Sequence, residues 1–265
     1  MKMTTNNQYK LEITNKNRTD ALLHTAEMEK RHEHEIIMCA NATKTYNTHF
    51  NCDHVKISTP VMNVYTLPTT SVDAAIKFGG SGKTAILNFA SFKHPGGMYI
   101  QGSNAQEESL CARSFLYNVL KTFDKSYYTW NSRHTNRGLY LNRALYTPGV
   151  LFDDMYCFDV ITCAAPNIRS AAKYYQVQSS ENLLVLESRI KFVLDIARVN
   201  GVSNLILGAY GCGVFGQKAT DVASIFLNEL LNRYNGAFAN VVFPVPLGNN
   251  FDVFHKTIGT FTLHV

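Results

Sequence analysis

The sequence predicts an α/β fold with a sheet that is covered on both faces. Short apolar runs typical of buried strands, such as TAILNF at residues 84–89 and NLILGA at residues 204–209, alternate with longer amphipathic segments. The clearest amphipathic segments cover residues 182–199 and 218–234, where apolar residues recur every three or four positions. Such alternation is typical of folds in which helices pack on a central sheet.

The remaining elements are assigned from the same periodicities. Residues 1–17 are polar and are expected to form a loose N-terminal arm, whereas residues 18–35 have the pattern of a surface helix. Further strands are predicted at 61–66, 143–147, 158–164 and 239–245, a helix at 107–120, and a long surface excursion at 121–142. Since no repeat or linker interrupts the chain, we expect one domain over residues 18–265 with a helical extension at its start.

Composition and charge restrict the function further. The chain has 265 residues, of which 46% are hydrophobic and 17% charged, and this excludes a disordered chain or a coiled coil. A net charge of +5 fits an anionic small ligand and is too small for a dedicated nucleic-acid binder. The sequence contains no apolar run of membrane-spanning length and no secretory signal, and its six cysteines lack CxxC spacing. We therefore expect reduced thiols and a cytoplasmic or nuclear location.

Two local patterns resemble cofactor sites without satisfying their requirements. Residues 79–84 (GGSGKT) suggest a phosphate-binding loop, but Lys77 stands where that motif needs glycine, and a strand rather than a helix follows. A tight turn is therefore expected there. Residues 32–35 (HEHE) and 52–54 (CDH) contain metal-ligand types, but i, i+2 spacing turns the side chains apart on a helix, and we expect no metal site.

The first stretch that can carry chemistry runs from Asn88, near the end of a buried strand, to the start of a helix. A turn with Gly96 and Gly97 allows close backbone approach to a ligand, and Gln106, Glu107 and Glu108 then begin the helix. Neighbours on a helix point about 100° apart, so the two glutamates cannot face each other across one bond as in most glycosidases.

One of these carboxylates can nevertheless act as a proton donor, because burial in a partly apolar cleft raises a carboxyl pKa. On the helix pattern alone, a purely structural interpretation is favoured. The spacing Ser103-x-x-Gln106 matches a capping box, and glutamates in a first turn complement the helix dipole.

The second stretch, LGAYGCGVFG at residues 207–216, leads from a buried strand to the best predicted helix. Its glycines free backbone N–H groups to face one concavity, which is a general way to bind a diphosphate. These glycines are Gly208, Gly211, Gly213 and Gly216, and the Phe215 ring at the tip of the loop is available to pack on a ribose or base. An ordinary glycine-rich turn is the alternative.

Together these stretches resemble the bacterial-type poly(ADP-ribose) glycohydrolases, a branch of the macrodomain fold. The matching motifs, in the family's order, are LNFAS (87–91), PGGM (95–98) followed by QEE (106–108), LYTPGV (145–150), VITCAAPN (160–167), LGAYGCGVFG (207–216) and VVFPV (241–245). Two positions depart from the pattern. Met98 replaces the third glycine of the loop, and Ser91 stands where many macrodomains have asparagine, so no catalytic role is assigned to Ser91.

The resemblance implies a three-layer α/β/α macrodomain-like fold with a mixed sheet, and hydrolysis of ribose–ribose O-glycosidic bonds to release ADP-ribose. By the match of motifs, Glu108 is the general acid and base, and Glu107 holds hydroxyls of the adjacent ribose. The resemblance places Gly96 and Gly97 at the diphosphate and distal ribose, and Asn88 and Gln106 are further substrate-binding candidates. It implies an opposite diphosphate loop, with Phe215 against the distal ribose, formed by Gly211, Cys212, Gly213, Val214 and Phe215. The resemblance implies no cofactor and no metal.

Two other functions remain open at this point. One is a mono-ADP-ribosyl hydrolase acting on protein or nucleic-acid linkages, and the other is a reader that binds ADP-ribose without cleaving it. The expected partners are ADP-ribose or poly(ADP-ribose) on modified proteins, with nucleic acid only as an ADP-ribosylated substrate and no membrane. We expect a monomer.

Overall fold

In a computed structural model of the chain, which describes residues 2–50, 52, 61–80 and 82–264, the centre is an eight-stranded mixed sheet. Only the backbone of residues 2–13 is described. The strands are β1 (Lys44–Asn47), β2 (Val61–Leu67), β3 (Thr84–Phe89), β4 (Arg143–Phe152), β5 (Tyr156–Cys163), β6 (Asn204–Ile206), β7 (Asn240–Pro244) and β8 (Phe261–His264). They lie in the order β1-β4-β5-β3-β6-β7-β2-β8, with the five strands from β5 to β2 parallel and antiparallel strands outside them.

Helices cover both faces of this sheet. They are α1 (Lys2–Arg31), α2 (Glu33–Ala42), α3 (Ser71–Phe78), α4 (Gln106–Ala112), α5 (Leu116–Leu120), α6 (Thr129–Arg133), α7 (Ile168–Tyr175), α8 (Ser179–Val199), α9 (Ala219–Leu231) and α10 (Asn249–Thr257). Successive strand residues pack into two different cores, since side chains alternate between faces. Leu87 and Leu205 pack with α8, α9 and α10, whereas Ile86 and Ile206 pack with α1 to α5. The predicted three-layer class with a mixed sheet is confirmed.

The N-terminal part differs from the sequence prediction. The backbone of residues 2–17 is helical and continues into the helix predicted at 18–35, rather than forming a loose arm. That helix is interrupted at His32, after which α2 begins. The helix predicted at 107–120 is likewise divided into α4 and α5, because the backbone leaves helical geometry at Arg113, where φ is −110° and ψ is 11°.

Residues 121–142 are not the surface excursion that the sequence suggested. Tyr127, Tyr128 and Asn131 are buried, in a π-helical turn (Asp124–Tyr128) and in α6. The Asn131 side-chain amide donates a hydrogen bond of 2.8 Å to the Phe92 carbonyl oxygen, which ties this segment to the loop after β3. Burial here depends on contacts distant in sequence, so no local periodicity reveals it.

The two patterns that resembled cofactor sites have structural roles where they are described. Gly79 ends α3 and β3 begins at Thr84, so residues 79–84 form the expected turn, with Ser81 outside the described residues. The His32 ring lies 2.9 Å from the Asp154 carboxylate, and the Cys52 thiol donates to the Asp195 carboxylate. Residues 53 and 54 lie outside the described residues. Across the described part of the chain, no helix is both long and apolar enough to cross a bilayer.

A buried arginine joins α8 to the segment that leads into β4. The Arg189 guanidinium donates to the Asn142 side-chain oxygen at 2.7 Å, to the Tyr140 carbonyl at 3.2 Å and to the Ala164 carbonyl. Replacing it would leave buried carbonyl oxygens without donors, which is costly in a dry interior.

We predict that Arg189→Met, which keeps an unbranched chain and removes the guanidinium, lowers the free energy of unfolding by about 3 kcal/mol. Urea denaturation followed by circular dichroism measures this change. The control is Lys173→Met on the exposed face of α7, which should change the value by less than about 0.5 kcal/mol. Equal effects of the two substitutions would contradict a structural role for the guanidinium.

Candidate active site

The two glycine-rich stretches meet at one edge of the sheet. β3 and β6 are parallel neighbours, so the loops that follow Phe89 and Ile206 leave from the same edge. A cleft of about 180 Å³ lies between them, lined by Phe89, Ala105 and Gln106 on one side and by residues 209–211 and 213–215 on the other. The sequence prediction that these stretches form one site is thus consistent with the fold.

Gln106 anchors the start of α4 to β3. Its side-chain oxygen accepts a hydrogen bond of 2.9 Å from the Phe89 N–H, and its side-chain nitrogen donates to the Leu87 carbonyl at 2.9 Å and to the Ser71 hydroxyl at 3.1 Å. The capping box predicted for Ser103 and Gln106 is therefore wrong. The helix begins after Ala105, and Gln106 binds the strand instead of the helix start.

Glu107 is buried, with 3% of its surface exposed. Its side chain accepts hydrogen bonds from the Asn88 side-chain amide at 3.1 Å and from the Ser91 N–H at 2.6 Å. Burial raises the pKa of Glu107 to about 8, against the opposing effect of those two donors. The carboxyl is therefore mainly protonated at neutral pH. The buried side-chain oxygen of Asn88 has no partner among the described residues, and a rotated Asn88 amide would place that oxygen where it accepts this proton.

Glu108 is held by backbone groups on either side of one loop. One carboxylate oxygen accepts a hydrogen bond from the Met98 N–H at 2.9 Å, and the other accepts from the Ala105 N–H at 3.1 Å. The second bond is the glutamate half of a capping box, because Glu108 is the third residue of α4. The two glutamates thus bind different backbone segments, in keeping with their divergence on the helix.

Gly97 lies between these two carboxyl groups. Its φ is +62°, and a Cβ added there would lie 2.6 Å from a Glu108 oxygen and 2.9 Å from a Glu107 oxygen. Gly96, with φ of +65°, has similarly little room because Tyr117 lies against it. Met98 has φ of −110°, which any residue adopts, and its side chain is half-exposed. Methionine in place of a third glycine therefore leaves the hydrogen bond from the Met98 N–H to the Glu108 carboxylate in place.

The opposite wall of the cleft provides backbone donors. Gly211, with φ of +74°, packs against Ala165 and Gln217, while the space around Gly213 is open. Among the described residues, none accepts a hydrogen bond from the N–H groups of Gly213, Val214 and Phe215. Such adjacent unpaired N–H groups favour an anion. Burial raises the pKa of the Cys212 thiol to about 12, so this side chain adds no negative charge to the loop.

Aromatic residues without a sequence-based assignment pack against Phe215 of this wall or lie buried near Glu107. Phe92 stacks on Tyr140 with ring centroids 4.1 Å apart, and Tyr140 meets the Phe215 ring edge-on at 5.9 Å. Burial raises the pKa of Tyr128 far above its ordinary value, and the negative charge of Glu107 adds to this shift. For the tyrosines, the signal in the sequence is their density in residues 121–142.

Comparison with protein-family models identifies the family. The model described as the microbial-type PARG catalytic domain, where PARG is poly(ADP-ribose) glycohydrolase, matches residues 15–153, more than half of the chain. The chain belongs to this family. The match contains the β3 strand, the glycine turn and Glu107 and Glu108, while the second loop lies beyond it. A comparison with curated protein sequences gave no match.

Solved structures of microbial PARG proteins share the fold over nearly the whole chain. The poly(ADP-ribose) glycohydrolase of Thermomonospora curvata is 29% identical, with a TM-score of 0.83, and the alignment covers 92% of this chain and 100% of that one. A structure of the same enzyme bound to the inhibitor ADP-HPD gives 0.81, with 91% and 99% covered at 29% identity. The Deinococcus radiodurans enzyme in complex with ADP-ribose is 28% identical, with a TM-score of 0.77 and coverage of 84% and 96%.

The pKa of Glu107 predicts how stability depends on pH. In the unfolded chain the carboxyl has an ordinary pKa near 4.5, whereas in the folded protein it is about 8. Between these values folding takes up a proton, so the free energy of unfolding falls as pH rises, by at most about 1.4 kcal/mol per unit. We predict that Glu107→Gln, which cannot titrate, becomes more stable relative to the wild type as pH increases from 5.5 to 7.5.

Denaturation of both proteins at several pH values measures this difference. Any hydrogen bond lost in the variant shifts its stability by a constant, whereas titration of Glu107 changes the difference progressively. Glu33→Gln, at the exposed start of α2, is the control and should show a constant difference. A constant difference for Glu107→Gln as well would contradict a raised pKa.

Proposed function

We propose that this chain is a poly(ADP-ribose) glycohydrolase that hydrolyses ribose–ribose O-glycosidic bonds, with Glu108 as the general acid and base. The observation that carries the proposal is that Glu107 and Glu108, held by separate backbone segments, directly follow the cleft residues Ala105 and Gln106. The second glycine loop lines the other side of that cleft, and among the described residues nothing accepts a hydrogen bond from its Gly213, Val214 and Phe215 N–H groups. One stretch thus offers carboxyl groups and the other N–H groups for an anion. Membership in the microbial PARG family supports the same assignment.

In the proposed reaction, the bond between C1″ of the distal ribose and the O2′ oxygen of the next unit breaks. The bonding electron pair goes to O2′, which takes the proton of Glu108, and positive charge develops at C1″ as in other glycosyl transfers. Water then attacks C1″ and gives its proton to the Glu108 carboxylate. The two hydrogen bonds to Glu108 fix the position of its carboxyl, and a correctly placed acid–base group contributes about 10²–10⁴ to the rate.

The other residues have binding roles in this proposal. Glu107 holds hydroxyls of the adjacent ribose, Gly96 and Gly97 allow close approach of the diphosphate and the distal ribose, and Asn88 and Gln106 are further substrate-binding residues. The opposite loop, Gly211–Phe215, binds the diphosphate, with the Phe215 ring against the distal ribose. Orientation by the diphosphate would favour the reactive geometry of the sugar. Neither a metal nor a cofactor has a step in this scheme.

The proposed substrate is poly(ADP-ribose) on modified proteins, acted on by a monomer in the cytoplasm or nucleus. Nucleic acid enters only as an ADP-ribosylated substrate. Removal of single ADP-ribosyl groups from protein or nucleic-acid linkages is the second activity that this site chemistry would allow. A reader without catalysis is disfavoured, because binding alone does not require two neighbouring glutamates held by backbone N–H groups.

We predict that the purified protein releases ADP-ribose from automodified poly(ADP-ribosyl)ated protein, and that Glu108→Gln lowers the rate by about 10²–10⁴. The variant should still bind ADP-ribose, because the amide keeps the size of the side chain and its oxygen keeps one of the two hydrogen bonds from the Met98 and Ala105 N–H groups. Glu33→Gln, on the surface, serves as the control. Chromatography of released ADP-ribose and calorimetry of ADP-ribose binding provide the two measurements.

Three results would redirect the proposal. Binding of ADP-ribose without release from polymer by the wild type would favour a reader. Release from mono-ADP-ribosylated protein alone would favour the second activity. Full activity of Glu108→Gln would exclude Glu108 as the acid and base, and the protonated Glu107 would become the candidate.

We also predict that Gly97→Ala reduces ADP-ribose release by at least about 10²-fold, the range expected when reacting groups shift by about 1 Å. The added methyl would force both carboxyl groups out of position, and alanine is strained at this φ. Gly80→Ala is the control, since a Cβ there meets nothing within 4 Å. Circular dichroism of both variants would show that the fold is retained, and unchanged activity of Gly97→Ala would contradict the described positions of Glu107 and Glu108.

A further inference from the structure

The Phe215 ring lines the cleft and also packs against a buried ring outside it. Tyr140 meets this ring edge-on, with the ring centroids 5.9 Å apart and the ring planes at 64°. Only 8% of the surface of Tyr140 is exposed, and the residue is not part of the cleft lining. The orientation of the Phe215 ring therefore depends on a side chain that a ligand in the cleft would not touch.

Tyr140 also packs against the loop that follows β3. Its ring is stacked on the Phe92 ring, with the centroids 4.1 Å apart and the planes 13° from parallel. Phe92 follows Ser91, whose N–H donates a hydrogen bond of 2.6 Å to the Glu107 carboxyl. The Tyr140 ring thus contacts the loop that holds a glutamate and, through Phe215, the loop that lines the opposite side of the cleft.

The backbone of Tyr140 has a conformation that tyrosine rarely adopts. Its φ is +61°, in the left-handed region, and Asn136 and Arg137 shortly before it have φ of +44° and +54°. This region is unfavourable for a bulky residue, whereas glycine or asparagine adopts it more readily. Such a conformation persists where the surroundings fix it, and it is frequent at functional sites. The contacts with Phe92 and Phe215 offset the backbone cost, because they require a ring at this position.

Three hydrogen bonds hold the Tyr140 backbone in this conformation. Its N–H donates to the Thr135 carbonyl at 3.1 Å. Its carbonyl accepts from the Arg189 guanidinium at 3.2 Å and from the Asn136 side-chain amide at 3.4 Å. Arg189 is fully buried, so water does not compete for its hydrogen bond to this carbonyl. The Tyr140 ring is therefore a fixed support for the Phe215 ring.

The backbone of Phe215 is held separately from its ring. The Arg169 N–H, in α7, donates to the Phe215 carbonyl at 3.1 Å. Asn167, at the start of α7, donates its own N–H to the Gly138 carbonyl at 3.0 Å. Neither bond involves an aromatic ring. Loss of the Tyr140 ring would therefore free the Phe215 side chain while the backbone of the second glycine loop stays in place.

We infer that Tyr140 is a positioning residue for the hydrolysis, acting through Phe215. The inference rests on the proposed function, in which the Phe215 ring lies against the distal ribose and the loop backbone binds the diphosphate. With the Tyr140 ring in place, the Phe215 ring has one orientation and holds the ribose in the geometry in which Glu108 acts. Without it, the diphosphate still binds but the ribose loses orientation, which lowers the rate of bond cleavage more than the affinity.

Three substitutions test this role by kcat on poly(ADP-ribose) and by the Kd of ADP-ribose. Tyr140→Leu removes the ring, and Tyr140→Phe keeps it. Tyr234→Leu is the matched control, because Tyr234 is also fully buried but lies after α9, outside the cleft lining, with its hydroxyl bound to the Lys191 carbonyl. Circular dichroism of each variant shows whether the fold is retained.

The expected result separates positioning from folding. Tyr140→Leu should lower kcat about tenfold, near the upper end of what one aromatic pair contributes, while the Kd of ADP-ribose stays within about threefold. Tyr140→Phe should restore kcat to within about twofold of the wild type, because both ring contacts remain. Tyr234→Leu should lower stability and leave kcat of the folded protein unchanged. Unchanged kcat in Tyr140→Leu, or equal losses in Tyr140→Leu and Tyr234→Leu, would overturn the inference.

A double-mutant cycle shows whether Tyr140 acts through Phe215. Phe215→Leu alone should lower kcat, and adding Tyr140→Leu should lower it little further, because the ring to be positioned is already absent. Losses that multiply would contradict the inference. Should Tyr140→Leu fail to fold, Phe92→Leu, which removes the stacking partner of Tyr140, replaces it in the same cycle.

The same assays distinguish this inference from the proposed function. If the wild type releases no ADP-ribose from polymer, the proposed function fails and the inference fails with it. If the wild type is active but the two losses multiply, the inference alone fails.

Discussion

The structure of the site depends on the way in which one side-chain amide extends the backbone hydrogen bonding of the central sheet. Gln106 binds the N–H of Phe89 and the carbonyl of Leu87, so α4 begins in a fixed position at the end of β3. Glu107 and Glu108 follow directly, and the helical rotation sends one inward to Asn88 and Ser91 and the other to Met98 and Ala105. These hydrogen bonds of Gln106 therefore fix where α4 places the Glu108 carboxyl.

The parts of the fold that could be predicted are those with strong local periodicity. The apolar runs of β3 and β7 and the amphipathic pattern of α9 are sufficient by themselves, because a buried strand or a helix face needs little outside context. Helices α3, α7 and α10 have no sequence-based assignment. They are eight or nine residues long, and so few turns give a weak periodic signal.

The candidate site likewise contains residues that the sequence predicts and residues that it does not. The glycines and glutamates could be identified, because their chemistry is local and their order is distinctive. The burial of Tyr128 and Asn131 could not, since it depends on the fit of residues 121–142 against the loop after β3. Gln106 was identified for its place in a motif, but its role as a bridge to β3 follows only from the strand positions. The packing of α1 against the loop before α4 could not be predicted either, because the sequence of a polar helix does not indicate what it contacts.

The protonated state of Glu107 has a thermodynamic consequence for ligand binding. An acid that is neutral at pH 7 leaves the site with less negative charge when an anionic diphosphate arrives, and linkage requires that such a ligand in turn makes the proton harder to lose. Because this carboxyl is buried, the free energy of unfolding falls as pH rises. The same burial keeps the carboxyl uncharged near neutral pH, so it does not repel an anionic ligand. With Glu108 as the proposed acid and base, stability and affinity are coupled through a single proton on Glu107 that takes no part in breaking the bond.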